Sequence, residues 1–294
     1  MMTTMKKSIM FVLFIFVFST FLVGCNNNQP KTAAPKTKPT TTKNKDTAKA
    51  GNPKSNTARN LYLVVEPSGK LGPDGKMHDA FINGDITLTE GKPVTLHFLN
   101  YDGGTHTYTS ADLGLNVKIK GSTKKGTPME TAYTFTPDKT GTFNWYCADK
   151  CDGENNQWAM TNDGYMRGTI TVNNDNTQHV STVINAGYKL GSDGKLHDAY
   201  TPGNITVSAG SPVELTIYNF DDGSHTFTSN DLGVNIAVPG TKQKGTPSVT
   251  KGTFTPSKTG TFKWLCADPC DGQNGQWAMT HTNYMTGNVT VQNE

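Results

Sequence analysis

The distribution of apolar residues divides the chain into three parts. An apolar run extends from Ile9 to Val23, residues 26–58 contain no Val, Ile, Leu or aromatic residue, and the remainder alternates apolar and polar positions. In the first half of this third part, period-2 segments predict β-strands. These segments are Ile86–Leu88, Val94–Phe98, Tyr133–Phe135, Gly141–Tyr146 and Thr169–Val172. Because none of the third part has a sustained helical period, we predict an all-β fold.

This third part consists of one domain in two copies. Residues 61–172 and 180–291 align without a gap at a constant offset of 119 residues. Glycine- and proline-rich turns separate the predicted strands, and short strands at this spacing are typical of a sandwich of two antiparallel sheets. We therefore predict β-sandwich domains at 59–174 and 178–294. A residue present in both copies has a better claim to a functional role than one found in a single copy.

The start of the chain has the composition of an export signal. Lys6 and Lys7 precede the apolar run, which is short for a transmembrane helix and ends in Leu-Val-Gly-Cys at Cys25. This ending resembles the lipobox of bacterial lipoproteins, which implies a signal peptide at 1–24 and acylation of Cys25. We therefore expect a lipid-anchored protein on the outer face of the cytoplasmic membrane. An ordinary signal peptide with a chance cysteine is the alternative.

The segment 25–58 is rich in Lys, Thr and Pro and has too little apolar surface to fold, so we predict a disordered linker. It contains seven lysines and one acid, Asp46. Residues 59–294, in contrast, hold 18 basic and 23 acidic side chains, although the whole chain is formally +3. A mildly acidic folded part argues against a nucleic-acid partner.

Four of the five cysteines form two Cys-Ala-Asp-x-Cys motifs, Cys147/Cys151 and Cys266/Cys270. Thiolates are soft donors that select copper(I), zinc or iron–sulfur clusters, and an imidazole from a distant strand would complete the ligand mix of a copper site. A structural disulfide in each pair is the main alternative in an exported protein, and a zinc site is a further one.

Two histidine pairs recur between the copies, His106/His225 and His78/His197.

The order of these features resembles the cupredoxin family throughout both copies. An Asn-x-Asp segment leads to a His (residues 100–106 and 219–225), and Gly-Thr-Phe-x-Trp-x-Cys follows. Gly-Ser-His-Thr-Phe at 223–227 and the Cys-x3-Cys spacing resemble the copper-A domain of cytochrome oxidase subunit II and nitrous oxide reductase. The resemblance implies tandem cupredoxin-like Greek-key β-sandwich domains. It also implies copper as the cofactor, with His106 or His225 and both cysteines of that copy as ligands. In cupredoxin topology the turn before the strand that holds Phe81 or Tyr200 lies at the metal end, so His78 and His197 would each be a second ligand or an outer-shell hydrogen-bonding group, with a surface turn residue as the alternative.

The resemblance also suggests a thioether ligand. Tyr-Met-x-Gly-x-Ile-x-Val, beginning at residue 165, resembles the end of the copper-A motif and favours Met166 and its counterpart Met285. Met160 and Met279, within Gln-Trp-Ala-Met, are the alternative, and core packing is the other explanation for either pair.

The loop after the second cysteine departs from the copper-A pattern Cys-x3-Cys-x3-His-x2-Met. It is longer, and the second His of the family is missing, because Asp163 and Thr282 stand three residues before Met166 and Met285. Other candidate ligands or outer-shell groups in this loop are Gln157, Gln276, Asp152 and Asp271. A two-copper centre, a variant centre completed by His78 and a mononuclear site therefore all stay open.

The ligand set and the anchor predict an extracytoplasmic one-electron carrier with one copper centre per domain. Copper acquisition, delivery or storage is the alternative if the site is more exposed, and a disulfide-stabilised scaffold lipoprotein is the non-metal alternative. Because the sequence has no Ser-His-Asp spacing, repeated carboxylate–base pair or phosphate-binding glycine loop, we predict no enzyme and no small-molecule substrate. The expected partners are redox or copper-handling proteins and, through the lipid anchor, the membrane.

Overall fold

The computed structural model describes residues 58–293, in which regular structure is almost entirely β. The strands of the first copy are β1 Arg59–Leu71, β2 Met77–Phe81, β3 Ile86–Thr89, β4 Val94–Asn100, β5 His106–Ser110, β6 Leu115–Ile119, β7 Met129–Phe135, β8 Gly141–Tyr146 and β9 Arg167–Asn173. Those of the second copy are β10 Gln178–Leu190, β11 Leu196–Thr201, β12 Ile205–Ser208, β13 Val213–Asn219, β14 His225–Ser229, β15 Val234–Val238, β16 Ser248–Phe254, β17 Gly260–Leu265 and β18 Thr286–Gln292. The all-β prediction is confirmed.

Helical structure in the described residues is limited to single turns. Besides α1, Trp277–Thr280, there are 3-10 turns at Ala111–Leu113, Gly153–Asn155, Trp158–Met160, Asn230–Leu232 and Gly272–Asn274. Within residues 58–293, no helix has the length and apolar character needed to cross a bilayer. The predicted signal peptide, Cys25 and nearly all of the linker lie outside the described residues.

Each copy is a sandwich of a four-stranded and a five-stranded sheet. The first copy has the orders β2-β1-β4-β7 and β3-β9-β8-β5-β6, and the second repeats them as β11-β10-β13-β16 and β12-β18-β17-β14-β15. One detail differs from the predicted antiparallel sheets, since β1 runs parallel to β4 and β3 runs parallel to β9. The chain passes through β3 in the opposite sheet before it returns as β4, and such a crossover allows parallel pairing.

The strands bury one face of each sheet between the layers. In β6, for example, Leu115, Val117 and Ile119 are buried and the residues between them are exposed, as period 2 requires. Large aromatic rings fill the centre, where Tyr108 stacks on Trp145 with ring centroids 4.6 Å apart. This core fixes β5 and β8 beside each other in the five-stranded sheet.

The two domains belong to one compact unit and meet through contacts that occur twice. The Leu71 N–H donates to the Gly245 carbonyl at 2.7 Å, and the Leu190 N–H donates to the Gly126 carbonyl at 2.8 Å. These two hydrogen bonds join equivalent positions with the domains exchanged, which is the pattern of an interface with local twofold symmetry. The Asn185 amide accordingly donates to Glu66, its own equivalent in the other copy, at 2.6 Å.

Candidate metal centre

Each sandwich brings one histidine and two cysteines together at one end. His106 is the first residue of β5, and Cys147 directly follows β8, the neighbouring strand. The Nδ1 atom of His106 lies 3.1 Å from the Sγ of Cys151 and 3.9 Å from that of Cys147, and the two sulfurs are 3.0 Å apart. All three side chains are buried, and their donor atoms lie within 4.8 Å of one another.

The second copy builds the same group from His225, Cys266 and Cys270. Its imidazole-to-sulfur distances are 3.2 Å to Cys270 and 3.8 Å to Cys266, and its sulfurs are also 3.0 Å apart. All four cysteines of the described residues carry free thiols. The predicted histidine and cysteine candidates therefore meet in both domains.

A carboxylate that sequence reasoning missed holds the other ring nitrogen of each histidine. Nε2 of His106 lies 2.9 Å from Asp102 Oδ2, and Nε2 of His225 lies 2.9 Å from Asp221 Oδ2. With the ring hydrogen on Nε2, this contact leaves Nδ1 available on the thiol side. The signal that would have identified it is an Asp four residues before each shared histidine.

An asparagine shapes the turn that carries this carboxylate. The Asn100 amide donates to the carbonyls of Gly104 and Lys120, and its oxygen accepts the Asp102 N–H at 2.9 Å. Asn100 is completely buried, so its three hydrogen bonds fix the turn between β4 and β5. The Asn-x-Asp element thus sets the orientation of the histidine ring.

Hydrogen bonds also distinguish the two thiols of the first copy. The Thr107 N–H donates to Cys147 Sγ at 3.3 Å, whereas Cys151 Sγ lies 3.2 Å from the Asp149 carbonyl oxygen and 3.0 Å from Cys147 Sγ. Hydrogen bonding from Cys151, with the His106 ring beside it, lowers the pKa of Cys147 to about 5, whereas the neighbouring Cys147 sulfur raises the pKa of Cys151. The metal-free site favours one thiolate, and a bound metal ion would displace the remaining protons.

The histidine carries the compensating charge. Burial by itself lowers the pKa of His106, but hydrogen bonds to Asp102 and Cys147 raise it to about 9. His225 behaves in the same way, with its pKa raised to about 9 by Asp221 and Cys266 against the effect of burial. A thiolate and an imidazolium therefore stabilise each other in each metal-free domain.

The candidate methionines lie at different places in the loop. The Met166 carbonyl accepts the Cys147 N–H at 2.8 Å, and the Met166 side chain is fully buried. Met285 makes the equivalent contact with Cys266 at 2.8 Å. Met160 and its counterpart are only partly buried against the core. The backbone of Met166 is therefore adjacent to the site, and its role as a ligand stays a prediction.

His78 lies in a second buried cluster beside the three-donor group. Its Nδ1 is 2.8 Å from Asp152 Oδ2, its Nε2 is 2.9 Å from Asp74 Oδ1, and its ring stacks on Trp158 with centroids 4.1 Å apart. His197 has the same arrangement with Asp193, Asp271 and Trp277. Both ring nitrogens face carboxylates, so the structure places these histidines outside the His/Cys/Cys groups. They are connected to those groups through the Asp that follows the second cysteine.

The other loop candidates do not join the donor group either. The Asp152 carboxylate is buried and accepts the Ala159 N–H at 2.9 Å in addition to its contact with His78, and Asp271 does the same with Ala278. Gln157 is exposed, with a left-handed backbone at φ 61°, and Gln276 is equivalent. The aspartates therefore organise the loop.

The donor set fits copper. The site offers two soft sulfur donors and one imidazole nitrogen, all buried at one end of the sandwich. Such a donor set binds copper in preference to harder cations. His106, Cys147 and Cys151 would hold the ion in the first domain, and His225, Cys266 and Cys270 in the second. When bound, copper supplies one-electron exchange.

Comparison with known proteins supports the family resemblance. A family model described as a cupredoxin-like domain matches residues 168–277, from the last strand of the first copy through most of the second. No curated protein matches the sequence.

Several solved structures resemble the chain only at a coarse level. The copper nitrite reductase from Nitrosomonas europaea is 13% identical, with 81% of this chain and 95% of that chain covered and a TM-score of 0.30. The Cu(I)-bound metal-binding domain of the exporting ATPase CopA from Streptococcus pneumoniae D39 is 16% identical, with 40% and 87% covered and a TM-score of 0.26. Likenesses this low carry no functional information. The family match over residues 168–277 and the two-sheet architecture confirm the predicted resemblance to cupredoxins, and the His/Cys/Cys group in each of the two sandwiches fits copper.

Proposed function

We propose that the protein is a membrane-tethered, extracytoplasmic carrier of single electrons, with one copper centre in each domain and no catalytic activity of its own. The observation that carries this proposal is the buried His/Cys/Cys group, built twice with the same distances. Donors held by neighbouring strands of a packed sandwich change position little when the metal changes charge. A small change in geometry favours rapid electron transfer.

The proposed location follows from the sequence that precedes the folded domains. The apolar run from Ile9 to Val23, Cys25 shortly after it and a lysine-rich linker would anchor the domains by lipid and allow them to reach redox partners in the membrane. Metabolic labelling with a fatty acid tests this part, and a Cys25→Ser variant that still carries the label would contradict it.

The electron-carrier proposal is tested by redox titration of the copper-loaded chain. Each centre is isolated by removing the other with Cys147→Ser/Cys151→Ser or Cys266→Ser/Cys270→Ser. We expect reversible one-electron oxidation and reduction in both isolated centres. A delocalised mixed-valence spin-resonance signal would identify a two-copper centre, and a single thiolate charge-transfer band would identify a mononuclear one. Copper that binds but cannot be cycled within the physiological range would overturn the proposal.

Copper delivery is the second candidate. It is favoured by the softness of the donor set, because two thiolates with a single imidazole suit copper(I). Transfer of copper(I) from the loaded chain to an apo copper protein, followed without added oxidant, distinguishes the two functions. Rapid transfer together with failed redox cycling would favour delivery, whereas slow transfer with reversible cycling would favour electron transport.

A further inference from the structure

Each domain extends a loop that reaches the other domain. We define arm 1 as residues 120–127 and arm 2 as residues 239–246. In arm 1 the Ser122 N–H donates to the Asp102 carbonyl at 2.6 Å, and in arm 2 the Thr241 N–H donates to the Asp221 carbonyl at 2.7 Å. Since Asp102 and Asp221 hold the metal-site histidines, each arm begins beside the candidate metal centre of its own domain.

The tip of each arm is a glycine pressed against the opposite domain. The Gly126 carbonyl in arm 1 accepts the Leu190 N–H at 2.8 Å. A methyl group on Gly126 would lie 2.5 Å from Leu196 Cδ2 and 2.9 Å from the Tyr188 carbonyl oxygen. The backbone there also has φ +73°, which side-chain-bearing residues rarely adopt. Close approach and backbone conformation therefore both require glycine at the tip.

The surface on which each arm lands supports the opposite cysteine loop. The Leu196 carbonyl accepts the Asn274 amide at 3.0 Å, and the same amide donates to Asp271 Oδ1 at 2.8 Å. Asp271 directly follows Cys270 and also pairs with His197. Two hydrogen bonds of the Asn274 amide thus connect Leu196, which arm 1 contacts, to Asp271 in the cysteine loop of the second domain.

Arm 2 makes the reciprocal connection in the first domain. A methyl group on Gly245 would lie 2.6 Å from Met77 Sδ, and the Met77 carbonyl accepts the Asn155 amide at 2.9 Å. That amide donates to Asp152 Oδ1 at 2.9 Å, and Asp152 directly follows Cys151.

We propose that each arm positions the metal-binding loop of the opposite domain, so that neither centre is fully formed without the other domain. The proposal rests on the contact of each glycine tip, Gly126 with Leu196 and Gly245 with Met77. The carbonyl groups of Leu196 and Met77 accept the amides of the loop asparagines Asn274 and Asn155. This role rests on metal binding as proposed above, but it does not depend on whether the metal carries electrons or is delivered. Gly126 and Gly245 are thus positioning residues, each for the metal-binding loop of the opposite domain in the same chain.

The experiment compares Gly126→Ala with Gly114→Ala in the full chain. Gly114 also has a left-handed backbone, φ +65°, but a methyl group there meets nothing within 4 Å, so it reproduces the backbone strain without the contact. In a chain whose first centre is removed by Cys147→Ser/Cys151→Ser, we expect Gly126→Ala to weaken copper(I) binding at the second centre about tenfold in a chelator competition. In the reciprocal Cys266→Ser/Cys270→Ser chain, the first centre should change by about twofold or less.

A second readout does not require metal. In the metal-free chain, Gly126→Ala should accelerate alkylation of Cys266 and Cys270 more than that of Cys147 and Cys151. If Gly126→Ala does not fold, Gly245→Ala serves instead, because its methyl meets the flexible end of Met77, and the affected centre should then be the first.

The outcomes separate the two proposals. Three results would overturn the positioning role across the domain interface. They are equal effects on both centres, an effect only on the centre of the mutated domain, and no difference from Gly114→Ala. A parent chain that binds no copper would overturn the proposed function, while the alkylation rates would still decide the positioning role.

Discussion

The two domains agree closely at their metal ends and differ in the core beneath. Corresponding imidazole and sulfur distances differ by no more than 0.1 Å between the copies. In the core, the pair Phe81 and Tyr108 becomes Tyr200 and Phe227, so the buried hydroxyl has moved to the other ring. The Tyr108 hydroxyl donates to the Gly84 carbonyl at 2.9 Å, whereas that of Tyr200 donates to the Thr226 carbonyl at 2.9 Å.

This exchange changes the partner of the buried tryptophan. Trp264 Nε1–H donates to the Gly203 carbonyl at 2.7 Å, but Trp145 Nε1 has no hydrogen-bond partner among the described residues. In the first copy the equivalent carbonyl, of Gly84, accepts the Tyr108 hydroxyl instead. A core filled by shape tolerates a displaced hydroxyl, whereas the metal end is fixed by buried polar groups that each need a specific partner.

Removal of a cysteine tests whether each domain binds copper independently of the other. We expect Cys151→Ser and Cys270→Ser each to remove about half of the bound copper, because a serine oxygen is a poor replacement for a soft thiolate. The combined variant should bind none. The measurement is copper per chain after gel filtration, with Ser110→Ala in β5 as a control outside the donor groups. Loss of all copper from either single variant would show that the two domains share one centre.

The His78 cluster and its counterpart provide the next largest effect. Replacing His78 by Asn leaves the buried Asp152 carboxylate without its imidazole partner, and breaking a buried pair costs about 3–5 kcal/mol of unfolding free energy. His197→Asn should cost a similar amount, since its contacts match. The control is His97→Asn, whose partner Glu130 is exposed, with an expected cost below about 1 kcal/mol. Urea unfolding measures all three, and a His78→Asn cost as small as the control would contradict a structural role for the cluster.

At the interface between the domains, Glu66 of the first copy is titratable, whereas its counterpart Asn185 in the second copy is not, so only the first makes the unfolding free energy depend on pH. Burial raises the pKa of Glu66 to about 7, although the Asn185 amide opposes the shift. The facing Tyr101 and Tyr188 hydroxyls, whose pKa values burial also raises, stay neutral in this range. Between the ordinary value of 4.5 and about 7, the folded chain keeps a proton that the unfolded chain loses. The unfolding free energy should therefore fall as pH rises through this window.

Glu66→Gln should remove that slope, because glutamine does not titrate. Between pH 5 and pH 8 the parent should lose up to about 3 kcal/mol of unfolding free energy through this group. The variant should not show this loss. Urea unfolding at a series of pH values measures the slope, with Glu90→Gln as the control for removal of a charge. Parallel pH profiles for the parent and Glu66→Gln would show that the Glu66–Asn185 contact does not distinguish the two domains energetically.

The sequence predicted the fold and the meeting of one histidine with two cysteines because both have local signatures. Period 2 marked the strands, and the repeated Cys-x3-Cys and His marked the metal end. Asp102 was missed because its role depends on the turn shaped by Asn100, which places a carboxylate behind the ring. The arms were missed for a different reason. Their tips are glycines that contact residues of the other domain, and alternation along one copy carries no information about the other.

The smallest expected effect comes from the displaced hydroxyl. Tyr108→Phe deletes one hydrogen bond but frees the Gly84 carbonyl for Trp145 Nε1, so the unfolding free energy should change by less than about 1 kcal/mol. Phe227→Tyr in the second copy should cost about 1–3 kcal/mol, because its hydroxyl would compete with Trp264 for the Gly203 carbonyl and leave one buried donor unpaired. Urea unfolding compares the two variants, and exposed Tyr133→Phe controls for loss of a hydroxyl. If Tyr108→Phe were the costlier change, the two cores would differ in more than the position of one hydroxyl, since competition for a single carbonyl predicts the opposite order.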